Sequence, residues 1–196
     1  MKLRIYLFRH GQTFFNRDRR FTGWKDSKLT PQGKRDARLI AQKLKGKRID
    51  VAYQTRLSRS KDTLKEVLRR HPECRKVITD DRMIERDYGR LSGKYHRSAI
   101  ARFGKKQFDR WHRSYDTPPP GGESIKQVEK RVQAFINDLL KKMRKEGVNV
   151  AISAHGNSMR PFRRQFEKLT IREMMGLENP FDGYFEYVVE VPVALR

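Results

Sequence analysis

Apolar residues along the chain recur in two rhythms. LRIYLF, residues 3–8, is a short and nearly unbroken hydrophobic run of the kind carried by a strand buried on both faces. LTPQGKRDARLIAQKLKGK then changes to helical spacing. Thr30 supplies an N-cap, Pro31 the first helical position, and Ala37, Ile40, Ala41 and Leu44 share one face. DVAYQT predicts a second strand, and a helix follows whose apolar face holds Leu57, Leu64, Val67 and Leu68 before His71-Pro72 ends it. KVITD predicts a third short strand. Residues 81–122 keep a weaker period, with glycines at 89, 93 and 104, and close on TPPPGGES. They predict loops and short helices inserted as a cap over the core. Ser124 and Gln127 have capping-box spacing at the head of a long helix. Ile125, Val128, Val132, Ile136, Leu139 and Met143 line its inner face, and Gly147 stops it. VNVAISA, a helix from about Asn157, and YFEYVVEV complete the chain. This alternation predicts one α/β domain over residues 1–196, a three-layer sandwich. A mostly parallel central sheet is flanked by helices, with a small cap inserted at about 81–122.

Composition narrows the class. At 196 residues, 36% hydrophobic and 35% charged, the chain reads as a globular protein with a real core and not as a disordered one. No apolar stretch reaches membrane-spanning length and the first residues run directly into a strand, so the expectation is a cytoplasmic protein with no membrane partner. The single cysteine, Cys74, cannot form an internal disulfide. Net charge is +23, which favours anionic partners: nucleic acid, an acidic membrane surface or a phosphorylated metabolite. The basic residues are spread along the chain and not gathered in a tail, which weakens the nucleic-acid reading. A merely solvated basic surface stays open on charge alone.

Candidate chemistry enters with two His-Gly turns. RHG follows the first strand and AHG follows VNVAIS, so His10 and His155 both fall just beyond strand ends, where parallel sheets form their ligand crevice. Gly11 and Gly156 are expected to let the chain turn sharply and a ligand approach the backbone. Arg9 brings a guanidinium suited to phosphate oxygens, and amides of the helix near Asn157 would add fixed positive charge. One such triplet has little specificity, since a histidine at a strand end often serves structure alone.

The wider motifs settle more. RHGQTFFNRDRRFTGWKDSKLTPQG, TRLSRSKDTL, IERDYGRLSGKYH, WHRSYDTPPP and AHGNSMR stand in the order found in the histidine phosphatase superfamily. Within it the chain most resembles the cofactor-dependent phosphoglycerate mutases. That resemblance implies phosphoryl transfer through a phosphohistidine, with His10 as nucleophile and Glu85 as general acid and base. Arg9, Arg59 and His155 match the phosphate pocket, and Asn16 a neutral donor to the same oxygens. Thr13, Thr22, Gly23, Tyr88 and Arg113, with Gly156 and Asn157 of the second His motif, match positions that hold the substrate. Two positions depart from the mutase pattern. His112 stands where those enzymes usually have an arginine and His96 where they usually have a lysine, each swapping a permanent cation for a titratable one.

The implied reaction is interconversion of 3-phosphoglycerate and 2-phosphoglycerate, primed by 2,3-bisphosphoglycerate and needing no metal. Asp80, Asp81 and Asp87 share no metal-ligand spacing. The expected partner is a small phosphorylated anion, and a homodimer is compatible with the sequence but not specified by it. Relative to longer mutases the chain lacks a loop between PPPGG and ES and ends at Arg196 without a covering tail, which predicts a more open site. A phosphatase of small phosphomonoesters is therefore the alternative, and a basic nucleic-acid-binding protein on this fold comes third. Aromatics in FGKKQFDRWHRSY are expected to form the core of the cap, and His71 is given no function.

Overall fold

The computed structural model describes residues 1–191 of the chain. Five strands, β1 (Lys2–Arg9), β2 (Val51–Gln54), β3 (Lys76–Thr79), β4 (Val150–Ala154) and β5 (Tyr184–Glu190), form one sheet in the order β3-β2-β4-β1-β5. β1, β2, β3 and β4 run parallel to their neighbours, and β5 joins the β1 edge antiparallel. The two strands that carry the His-Gly turns are thus adjacent at the sheet's centre.

Strand alternation sorts the core into two layers. Leu3, Ile5 and Leu7 of β1 face one side, with Val150 and Ile152 of β4. There they meet α6 (Ile125–Glu146), through Val128, Val132, Ile136 and Leu139, and Met159 and Phe162 of α7 (Gly156–Glu167). Tyr6 and Phe8 face the other side, against Ile40 and Leu44 at the end of α2 (Pro31–Lys43) and Leu64 and Val67 of α3 (Ser58–Leu68). The result is helix–sheet–helix. Thr30 caps α2 as its sequence predicts, accepting from Gly33 N–H at 3.0 Å, and Ser124 caps α6 with Gln127 returning the bond.

Beyond the carboxyl ends of the strands sits a third, smaller cluster. Phe21, Tyr88, Leu91, Ala99 and Phe108 pack together, with Trp111 against them. They come from the turn after α1 (Phe14–Arg17), from the single-turn 3-10 segment Gly89–Leu91 and its cap Tyr88, which follows another such turn at Asp81–Met83, and from α4 (His96–Phe103) and α5 (Lys105–Arg113). Phe103 departs from the expected cap core: it is exposed, with its ring edge-on to Trp111. A further short helix, α8 (Ile171–Gly176), follows α7 and was not expected from the periodicity.

Candidate active site

β1 and β4 run level, with Arg9 beside Ala154, so the next residue on each is a histidine. His10 N–H extends the ladder by donating to Ala154 O at 3.1 Å. Both imidazoles are buried, and their ring centroids stand 5.0 Å apart. His10 Nδ1 lies 2.8 Å from the Gly11 carbonyl oxygen. A carbonyl can only accept, so Nδ1 carries the proton and Nε2 keeps the lone pair. His155 Nε2 is 2.8 Å from Thr55 Oγ1. Burial, then the charges of Arg59 and Arg9, hold the His10 imidazole well below its ordinary pKa; burial, then Arg59 and His10 itself, do so for His155. The two rings are neutral at neutral pH.

The arginines are fixed by the chain around them. Arg59 opens α3, is completely buried, and donates to Lys25 O at 3.0 Å and Gly23 O at 2.8 Å. Burial lowers its pKa to about 10, which still leaves it cationic. Arg9 donates to Asn179 O at 3.1 Å and lies 4.0 Å from the centroid of the Phe181 ring. Among the described residues, seven buried side-chain polar atoms have no hydrogen-bond partner, and three of them, Arg9 Nε, Arg59 Nε and His155 Nδ1, belong to the groups around His10. Buried polar atoms are almost always satisfied, and an orphan costs about 1–3 kcal/mol. Three orphans on the groups around His10 mark a place made for an anion.

Glu85 is buried just after the Asp81–Met83 turn. Its Oε1 accepts from Arg86 N–H at 2.7 Å and from Asn157 N–H at 3.2 Å. The amide at the start of α7, expected to face a ligand, is thus turned on this carboxylate. The Glu85 carbonyl accepts from Trp24 Nε1 at 2.8 Å and Arg131 Nη2 at 3.0 Å, so the backbone is clamped as well.

A cleft of about 190 Å³ opens at this point. Arg9, Asn16, Thr22, Glu85 and Tyr88 line it, joined by His96, His112 and Arg113 from α4 and α5 and by Gly156 and Asn157 from α7. His10, Arg59 and His155 are buried and do not themselves line it; Arg9, which does, is next to His10 in the chain. Asn16 Oδ1 accepts from Thr13 N–H at 3.0 Å and Thr13 Oγ1 at 2.9 Å, which leaves Nδ2 as the donor available to the cleft. Tyr88 OH accepts from Asn157 Nδ2 at 3.3 Å.

Several expectations need correction. Thr13 and Gly23 do not line the cleft. The Thr13 hydroxyl is committed to capping α1, and Gly23, at φ +54°, offers its carbonyl to Arg59. Gly11 is bare for the backbone and not for a ligand: a Cβ there would stand 2.1 Å from Gly33 O. At Gly156 a Cβ would stand 3.4 Å from Arg9 Cζ, so this glycine seats the guanidinium. His96 and His112 do not act as pH-dependent cations near neutrality. Their rings are 5.1 Å apart and both pack on Phe21. Burial first, with Arg113 among the neighbouring charges, lowers His96, and burial takes His112 to about 3.

The sequence reading missed Arg20, Arg160, Glu178 and Asn179, all of which line the cleft. Arg160 had a signal, since it lies three residues after Asn157 on the same helical face. Asn179 lies in an irregular segment, where it donates to Gly156 O at 2.9 Å, and no local pattern announces it. Among the described residues no three His, Cys, Asp or Glu side chains are grouped to hold a metal. Asp80 pairs with Arg82 and Asp81 with Arg56, while Asp87 accepts from Gly89 N–H.

A neutral imidazole with a free lone pair, set among fixed cations with unused donors, is what an enzyme needs to carry a phosphoryl group on histidine. Comparison with known proteins agrees: residues 5–181 match the model of the histidine phosphatase superfamily (branch 1), and the chain belongs to that superfamily. A 2,3-bisphosphoglycerate-dependent phosphoglycerate mutase from Parvibaculum lavamentivorans is 40% identical over 176 residues, 88% of this chain and 84% of that protein. The solved structure of Bacillus stearothermophilus YhfR superposes with a TM-score of 0.83 at 26% identity, covering 97% of this chain and 92% of that one. A mycobacterial glucosyl-3-phosphoglycerate phosphatase shares the fold with a TM-score of 0.82 at 23% identity, covering 95% and 90%.

Proposed function

We propose that the protein transfers phosphoryl groups through a phosphohistidine on His10, interconverting 3-phosphoglycerate and 2-phosphoglycerate with 2,3-bisphosphoglycerate as primer. The observation that carries this reading is the set of unsatisfied nitrogens on Arg9, Arg59 and His155 around an imidazole whose Nδ1 proton is fixed by Gly11. His10 Nε2 attacks phosphorus, and the bond to the ester oxygen breaks. The phosphoryl oxygens take up the waiting donors, with Asn16 Nδ2 among them. Glu85 gives a proton to the departing oxygen and recovers one from an incoming hydroxyl. Its Oε1 is held by two amides, so Oε2 is the oxygen that exchanges the proton.

A bisphosphorylated primer needs cations for its second anionic end. Arg20, Arg113 and Arg160 line the cleft, and none has a carboxylate partner among the described residues. The residues present therefore fit the primer, which when bound would supply the phosphoryl group that charges His10. The relative from Parvibaculum lavamentivorans, named for this primer and reaction, supports the same reading.

Hydrolysis of small phosphomonoesters is the second reading, and the His112 ring favours it. Held neutral where the mutases usually carry an arginine, it leaves the distal anion with one permanent cation fewer. The experiment incubates 3-phosphoglycerate with trace 2,3-bisphosphoglycerate and follows both 2-phosphoglycerate and free phosphate. Primer-dependent isomerisation with little phosphate release is expected; phosphate release without isomerisation would replace the mutase with the phosphatase. His10→Ala is expected to lose acid-labile labelling of the protein and at least about 10⁴-fold in rate. Labelling that survives in that variant would remove His10 as nucleophile.

A further inference from the structure

A second cavity, of about 870 Å³, opens beside the catalytic cleft and shares His96, His112 and Arg113 with it. Its other walls come from the turn after α1, the start of α4, and α5. Nothing in the phosphoryl-transfer chemistry above uses this space.

Its charge is one-sided. Arg17 is answered by Asp18 at 2.7 Å and Lys105 by Asp109. Arg19, Arg97 and Arg113 have no carboxylate partner among the described residues. Arg19 stands at φ +51°, a left-handed conformation disfavoured for a residue with a side chain. Between these cations the lining is apolar: Ile100, Phe108 and the Tyr95 ring, over which Arg97 lies at 5.1 Å. Cations without acids, set around hydrocarbon and an aromatic face, suit a ring or chain that ends in an anion.

The junction with the inner cleft gives that ligand its direction. His96 and His112, their rings packed tilted and edge-on against Phe21, border both spaces, and so does Arg113. The inner cleft is less than a quarter of the outer one in volume. A leaving group larger than a three-carbon acid outgrows the inner cleft, and the outer cavity is the space that borders it at His96, His112 and Arg113.

We propose that the outer cavity is a leaving-group subsite, which takes the distal anion of larger phosphomonoesters with Arg19 and Arg97 as its contacts. The proposal rests on the reading of the inner cleft as a phosphoryl site and adds a substrate class to it. The test is equilibrium binding by calorimetry of two non-hydrolysable probes, benzylphosphonate and 4-carboxybenzylphosphonate. The wild-type protein is expected to prefer the carboxylated probe by about tenfold, the sum of two partly exposed charge-assisted contacts. An Arg19→Gln, Arg97→Gln double variant is expected to lose that preference, keeping its affinity for benzylphosphonate and its turnover of 3-phosphoglycerate. Equal binding of the two probes by the wild type would overturn the subsite. So would a preference that survives in the double variant, since the carboxylate would then be held by the inner arginines. A double variant that also loses benzylphosphonate would show the two arginines to be structural. Failure of the wild type to bind either phosphonate would instead refute the inner phosphoryl site, and the subsite with it.

Discussion

Mild acid should weaken this fold through its buried imidazoles. His10, His155 and His112 are held below the ordinary histidine value in the folded protein, whereas in the unfolded chain each titrates near 6.5. The unfolded state therefore binds more protons below that value. Stability is intact above about pH 6.5 and falls as pH drops, until each folded pKa is reached, about 3 for His112. At about pH 5.5 the protonation that His112 forgoes costs on the order of 1 kcal/mol, and His10 and His155 act in the same direction, against a typical stability of about 5–15. Carboxylates held low in the fold, such as Asp80, Glu167 and Glu186, lose their contribution only below about pH 4.5, outside this window. Urea unfolding followed by circular dichroism at about pH 7.5 and pH 5.5 measures the difference directly. His112→Asn should shrink that difference by on the order of 1 kcal/mol whatever it does to absolute stability. Saturating orthophosphate should shrink it further, because a bound anion favours the imidazolium forms. A loss under about 1 kcal/mol, or a difference untouched in His112→Asn, would refute the placement of these rings as buried and neutral.

Two substitutions probe the site's supports. Arg59→Met should slow phosphoenzyme formation, read by rapid quench, by about 10²–10³-fold, with Arg59→Lys recovering only part because it restores charge without the fork. Arg131 donates to the carbonyls of Arg82, Ile84 and Glu85 at 2.7, 2.9 and 3.0 Å and pairs with Glu123, so it fixes the segment that carries the general acid. Arg131→Met should lower kcat by about tenfold with little change in KM and displace the pH–rate profile; an unmoved profile would show Arg131 to serve stability alone.

Much of this was legible in the chain because the deciding chemistry is local. Thr30 with Pro31, and Ser124 with Gln127, mark helix starts by side-chain bonds that need no tertiary context. Short elements gave no period to detect: α1 has four residues and none buried, and α8 has six. The α8 start nonetheless carries a capping box, Thr170 with Glu173, and Thr13 with Asn16 at α1 is another that claims the threonine hydroxyl. What the sequence could not show is contact at a distance. Gly11 against Gly33 is a meeting of two backbones, and the neutrality of His112 arises from Phe21, Phe108 and His96 packing on it. Sheet order is nonlocal too, and it is the adjacency of β1 and β4 that turns two separate His-Gly turns into one site.

The electrostatics of that site are arranged so that one set of charges does two things. An imidazolium cannot attack phosphorus, so a nucleophilic histidine must stay neutral at working pH. Arg9 and Arg59 help burial keep His10 neutral, by repelling its proton. The same guanidiniums stabilise negative charge once a phosphoryl group arrives. A carboxylate beside His10 would undo both effects, pairing with the imidazolium and screening the arginines. Glu85, an acid in this cleft, instead gives Oε1 to the amides of Arg86 and Asn157 and hydrogen-bonds to neither ring. The start of α7 thus restrains the one acid the chemistry requires. That separation follows from the fold: His10 and His155 end neighbouring strands, while Glu85 comes from the segment that α6 holds through Arg131.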